Sequence, residues 1–206
     1  SISDDALSVA FSSVANNLVP GDTSPFFDIF VHDRSTGQTT RASVDSSGVQ
    51  GNGDSDQPSL SGDGRYVAFL SAANNLAAGD TNTALDVFVH DRTTGQTTRA
   101  SVSTGGSQGF GGLYRPDISD DGRFVTFEST SGALVVGATN GVEDIFVRDR
   151  ITPATTRVSI STSGAQANGE SHWPSISGDG RYVVFESAAT NLIGSDTNAQ
   201  VDIFLR

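Results

Sequence analysis

The 206-residue sequence contains no Cys, no Met and no Lys, and a single Trp. Without Cys it has neither a disulfide framework nor a thiolate metal site. No stretch approaches the roughly 18 apolar residues of a membrane-spanning helix, so insertion into a membrane by that route is not expected. All twelve basic residues are Arg, set against 24 acidic ones, for a formal net charge of −12. No basic stripe is available to neutralise a phosphate backbone, which argues against a nucleic-acid partner and equally against an anionic membrane surface. With no Met at position 1 and no leader peptide, the chain is expected to be a mature product or an excised piece.

Only 35% of the residues are hydrophobic, while Gly occurs 23 times and Phe 12 times. That balance suits many short strands joined by turns better than helical layers. The acidity has two physical readings. It either solvates the surface or gathers carboxylates around cations, and Asp is also a common turn residue.

A repeat then decides the architecture. Segment 59–69 (SLSGDGRYVAF) returns at 117–127 (DISDDGRFVTF) and at 175–185 (SISGDGRYVVF), a step of 58 residues each time. The units are 1–58, 59–116, 117–174 and a truncated 175–206, and the first two agree at more than half of their positions without a gap. In the second unit a short segment, 58–61, leads into Asp63-Gly64, a strong hairpin signal. It is followed by 65–71 (RYVAFLS), a long polar loop, 86–91 (DVFVHD), a tight turn and 96–103 (QTTRASVS). This reads as a four-stranded antiparallel meander, A to D. Strands B and C are apolar on both faces and need cover on both sides. Radial stacking of such sheets provides it. The expected fold is an all-β propeller of four-stranded blades, about four in this chain, with the last blade lacking its outer strand.

The repeated S-x-S-x-D-G-R-[YF]-V-x-F and D-[VI]-F-V-x-D-R-x-T-G-x-T-T-R resemble the TolB-like β-propeller repeat family over essentially the whole chain. The resemblance implies the fold, and it leaves function open between periplasmic, secreted and peptidase-associated propellers. Departures are the long B–C loop, Gly or Asp before the Asp-Gly turn, and an atypical first unit, where Asp4-Asp5-Ala6-Leu7-Ser8 replaces the turn.

Meander topology puts the long B–C and D–A loops on one face, the default functional surface. The B–C loops repeat an oxygen-rich pattern at Asp22 and Asp28, at Asp80, Asn82 and Asp86, and at Asp196, Asn198 and Asp202, with Ala138 interrupting the third copy. Such a set can hold Ca²⁺, or it can form Asx-turns that start strand C. The D–A loops vary instead. Tyr114, Arg115, His172 and Trp173 are residue types found at binding hot spots, here as a stacking surface for a protein or glycan, against the plainer reading that they cap neighbouring blades. Glu128 and Glu186 share one repeat position and were considered as an acid pair. No nucleophile elbow is present. The expectation is a secreted binding or scaffolding propeller, extracellular or periplasmic, with calcium as a candidate stabilising ion, rather than an enzyme. The alternatives are a hydrolase or the propeller portion of a longer peptidase, and a self-assembling protein that is a homo-oligomer or has missing blades.

Overall fold

The computed structural model describes every residue except 110, 111, 139, 195 and 199, and excludes the side chains of 113 and 114. It is all β, with four antiparallel sheets in chain order. The first blade is β1 (Ser8–Ser13), β2 (Asp28–Asp33) and β3 (Gln38–Arg41). The second is β4 (Ser55–Leu60), β5 (Tyr66–Ser71), β6 (Asp86–Asp91) and β7 (Thr97–Arg99). The third is β8 (Leu113–Ile118), β9 (Phe124–Ser129), β10 (Asp144–Asp149) and β11 (Ala154–Arg157). The fourth is β12 (Ser171–Ile176), β13 (Val183–Ser187) and β14 (Asp202–Leu205). Among the described residues no helix is long and apolar enough to cross a membrane.

The first blade was expected to carry four strands and carries three. Its strand-A position is held by residues 1–3, where Ile2 makes a single bridge to Val9, too short a segment to form a ladder. Strand A of the other blades starts earlier than the Asp-Gly signal suggested. It begins at Ser55, Leu113 and Ser171 and contains a break in register before the proline.

The doubly apolar strands now have a physical explanation. In the second blade Phe69 pairs across the sheet with Phe88 on one face, while Ala68 pairs with Val89 and Leu70 with Val87 on the other. Phe69 and Phe88 pack with Ala10, Ile29 and Val31 of the first blade, and Ala68, Leu70, Val87 and Val89 pack with Ile118, Val125, Phe127 and Phe146 of the third. Each junction therefore fits a bulky phenylalanine face into a face of smaller side chains, which satisfies dense packing. The phenylalanine pair recurs in all four blades with ring centroids 5.8–6.0 Å apart.

At the tight-turn end a line of backbone hydrogen bonds links the blades: Asp4 N donates to Gly62 O at 2.9 Å, Gly62 N to Asp120 O at 3.1 Å and Asp120 N to Gly178 O at 2.9 Å. Asp and Gly alternate along it because the Asp side chains fill the space beside each Gly. A Cβ on Gly62 would lie 2.6 Å from Asp4 Oδ2 and 2.8 Å from Asp120 Cβ. The long-loop end is tied by side chains. Asn52 Nδ2 donates to Asn74 Oδ1 at 2.7 Å, and Asn168 Nδ2 to Thr190 Oγ1 at 3.0 Å, each between consecutive units.

Candidate functional site

Strand A sets the site's backbone. Gln57, Arg115 and Trp173 occupy the same repeat position, each just before a proline, and all three take a left-handed φ, at 55°, 56° and 55°. Proline disfavours the right-handed helical conformation for the residue before it, and the chain forms a bulge there instead. Non-glycine residues held at positive φ cost about 1 kcal/mol or more and cluster at functional sites. The bulge also frees a backbone N–H that needs an acceptor.

In the fourth blade that acceptor is Glu128 on β9 of the third. Trp173 N donates to Glu128 Oε1 at 2.6 Å. The Arg115 Nε lies 3.4 Å from the same oxygen, and His172 Nδ1 lies 3.4 Å from Glu128 Oε2. Glu128 is only 2% exposed, so its charge is tolerable only because donors and a guanidinium surround it. The Arg115 guanidinium carbon lies over the Trp173 ring, a cation–π contact, while 56% of Trp173 remains exposed. Together with Glu143, which immediately precedes β10, these residues line a cavity of about 340 Å³ on the long-loop face. Glu170 stands at its rim, 3.5 Å from His172 Nε2. His172, Glu143 and Glu170 each offer one ligand atom within 4.8 Å of the others, a nitrogen-and-oxygen set of the kind that suits a first-row divalent metal.

Of the four residues singled out as a contact surface, Arg115, His172 and Trp173 meet at one pocket. The Tyr114 side chain lies outside the described residues, although its backbone pairs with Glu128 in the ladder. Glu128 is the hub, gathered with cations and donors, whereas Glu186 faces His172 across the β12–β13 ladder. Glu143 and Glu170 were not anticipated, because neither belongs to a repeated pattern.

The acidic B–C loops have a different geometry. Asp22 and Asp28 both face Arg41, at 3.6 and 3.7 Å. Asp80 and Asp86 both face Arg99, at 3.4 and 3.2 Å, and Asp144 faces Arg157 at 3.4 Å. Strand D thus supplies the counter-charge in three blades. Serine two residues on completes the clamp: Ser43 Oγ donates to Asp28 Oδ1 and Ser159 Oγ to Asp144 Oδ1, both at 2.6 Å, and Ser101 Oγ does the same to Asp86. Asn82 Nδ2 donates to Gly109 O at 2.8 Å. Burial pushes the Asp86 carboxyl up to about 6, against the hydrogen bond from Ser101 and the charge of Arg99. Asp28 and Asp144 are raised for the same first reason. In the fourth loop Asn198 Nδ2 reaches Asp202 at 3.2 and 3.3 Å. The thirteen-residue step from Asp28 to Arg41, repeated from Asp86 to Arg99 and from Asp144 to Arg157, is the sequence signal that reveals the clamp.

No protein-family model and no curated protein sequence matches the chain. Solved structures do. TolB from Acinetobacter baumannii superposes over 100% of this chain and 39% of its own, with a TM-score of 0.55 and 18% identity. A putative TolB from Agrobacterium tumefaciens covers 99% of this chain and 58% of its own, at 0.60 and 19%. The tricorn protease covers 97% of this chain but 16% of its own, at 0.52 and 16%. The chain therefore spans about two-fifths to three-fifths of the TolB structures it matches. Stacked three- and four-stranded meanders, the phenylalanine-faced junctions and this structural likeness agree: the chain is a β-propeller array with the TolB-like fold.

Proposed function

We propose that this propeller is a binding module that works outside the cytoplasm, in the extracellular or periplasmic space, and takes a protein ligand in the pocket between its third and fourth blades. One observation carries the reading. A buried Glu128 holds Arg115, His172 and Trp173 together on strained backbone, so that an exposed indole is presented rigidly beside a cavity. Rigid aromatic and Arg anchors next to a pocket are what interface hot spots are made of. Glu143 and Glu170 give the rim negative charge, which favours a ligand presenting a basic side chain. A glycan ring stacked on Trp173 is the alternative ligand. The propeller-of-a-peptidase reading draws on structural likeness to peptidases such as the tricorn protease, and Glu128 is a poor acid catalyst when its oxygens are already engaged. Calcium stabilisation of the acidic loops is proposed for the fourth, where among the described residues no arginine forms an ion pair with Asp196 or Asp202, whereas Arg41 and Arg99 each face a carboxylate pair in the first and second.

Peptide and glycan arrays probed with the parent chain and with Trp173→Ala test the proposal. Basic peptides are expected to bind and to lose at least about tenfold in affinity in the variant, as at a hot spot. If nothing captured by the parent depends on Trp173, the reading is wrong.

A further inference from the structure

Three repeat positions lie where the residue before strand C of one blade borders the start of strand A of the next. They are Phe27, Asp54 and Asp56 at the first junction, Leu85, Gly112 and Tyr114 at the second, and Glu143, Glu170 and His172 at the third. Backbone hydrogen bonds hold these positions in place. Ser171 N donates to Glu143 O at 2.8 Å, as Ser55 N does to Phe27 O at 2.7 Å. Ala188 N donates to Glu170 O at 2.9 Å, as Ala72 N does to Asp54 O at 2.8 Å. Glu170 and His172 are two residues apart at the start of β12 and so share one face. The backbone frame is repeated, and of the three junctions the third alone sets an imidazole and two carboxylates on it.

The ligand atoms of these three side chains lie within 4.8 Å of one another, and His172 Nε2 is 3.5 Å from Glu170 Oε2. Atoms bound to one ion at about 2.0–2.2 Å sit roughly 3–4 Å apart, so the spacing is close to that of a shared ion. The other ring nitrogen is already engaged. His172 Nδ1 lies 3.4 Å from Oε2 of the buried Glu128. A proton on Nδ1 serves that carboxylate and leaves the Nε2 lone pair towards Glu170, the arrangement by which an outer carboxylate orients a metal-binding histidine. Nε2 and a carboxylate oxygen then face each other as two acceptors, which a cation between them satisfies. Charge agrees with this. Glu128, Glu143 and Glu170 stand against the single guanidinium of Arg115, a surplus of two negative charges. Among the described residues neither Glu143 nor Glu170 forms an ion pair with an arginine.

We propose that His172, Glu143 and Glu170 form a binding site for one first-row divalent cation between the third and fourth blades. An imidazole nitrogen beside two carboxylates favours such an ion over Ca²⁺, which takes about six to eight oxygens. Three protein ligands leave a coordination position for water or for a donor atom of a ligand. The site does not rest on the basic-ligand reading of the pocket, since an ion and a basic side chain compete for the same Glu143 and Glu170.

The test titrates the chelator-treated chain with Zn²⁺ alone, by calorimetry and by thermal unfolding. One saturable site and a rise in Tm are expected. His172→Gln keeps an N–H donor for Glu128 and removes the nitrogen ligand. It and Glu143→Gln are each expected to weaken Zn²⁺ binding at least about tenfold and to forfeit the Tm gain. Unfolding of each variant in EDTA shows whether it folds as the parent does. Glu170→Gln, at a side chain that is 59% exposed, carries the same expectation with little effect on folding. Asp202→Asn, in the fourth acidic loop, and millimolar Ca²⁺ are both expected to leave the Zn²⁺ affinity unchanged. Absence of saturable binding overturns the proposal, as does binding that His172→Gln and Glu170→Gln both retain, or that Asp202→Asn or Ca²⁺ removes. Zn²⁺ uptake is read without any peptide, so its failure leaves the basic-ligand reading to its own arrays.

Discussion

The junction between the second and third blades and that between the third and fourth solve one backbone problem in two ways. At the first, the N–H of Arg115 donates to Gln57 Oε1 at 2.8 Å, and the neighbouring strand-B position is Leu70, buried in an apolar cluster. At the second, the residue in the Gln57 position is Arg115 itself. A guanidinium has no acceptor, so it cannot serve the N–H of Trp173. Glu128, standing where Leu70 stands one blade earlier, accepts that hydrogen bond instead. Two changes of residue type, amide to guanidinium at the Gln57 position and leucine to glutamate at the Leu70 position, turn an apolar junction into a charged one. The candidate pocket follows from repeating the scaffold without repeating its acceptor.

The largest test of this account is Glu128→Ala, expected to cost about 3 kcal/mol because it leaves the Trp173 N–H without its acceptor and the Arg115 guanidinium without its counter-charge. Glu128→Leu should recover part of that loss by refilling the site, as Leu70 does. The double change Glu128→Leu with Arg115→Gln rebuilds the neighbouring junction and should return stability to within about 1 kcal/mol of the parent. Urea unfolding of the four chains reads all three values, and a double variant no more stable than Glu128→Leu breaks the comparison. Gln57→Ala sharpens it from the other side. Loss of one neutral acceptor should cost about 1–2 kcal/mol, less than Glu128→Ala, in the same measurement.

The smallest expected effect concerns a buried carboxylate with a closer clamp. Asp86 is pushed up to about 6 from 3.8, so the folded chain binds its proton before the unfolded chain does. Its contribution to stability therefore grows as pH falls from about 6 towards 3.8 and is absent well above that window. Asp86→Asn should remove this slope while leaving that of His90, whose pKa burial lowers and whose term has the opposite sign. Stability curves of parent and variant that stay parallel through the window would show that Asp86 does not titrate there.

Much of the fold was legible because it is local. The 58-residue step, the Asp63-Gly64 turn and the doubly apolar segments around Phe69 and Phe88 each lie within one unit, and their meaning does not depend on the neighbours. Arg115, His172 and Trp173 could be marked as unusual because the repeat provides its own reference at Gln57. The start of strand A at Ser55 is not written locally, since Ser-Asp-Gln carries no strand signal and the pairing with β5 that makes it a strand comes from outside the segment. The arginine that strand D brings to Asp22, Asp28, Asp80 and Asp86 is not legible in the acidic spacing within the loop, because it arrives from thirteen residues or more further along the chain.

The sequence by itself determined the repeating unit, the antiparallel meander and the side of the molecule on which variation collects. Hydrophobic period and turn chemistry act over a few residues and are written there directly. Only the tertiary structure decided which varied positions meet. Glu128 and Trp173 lie 45 residues apart, and it is the stacking of one blade on the next that brings a carboxylate from one to the unsatisfied N–H of the other.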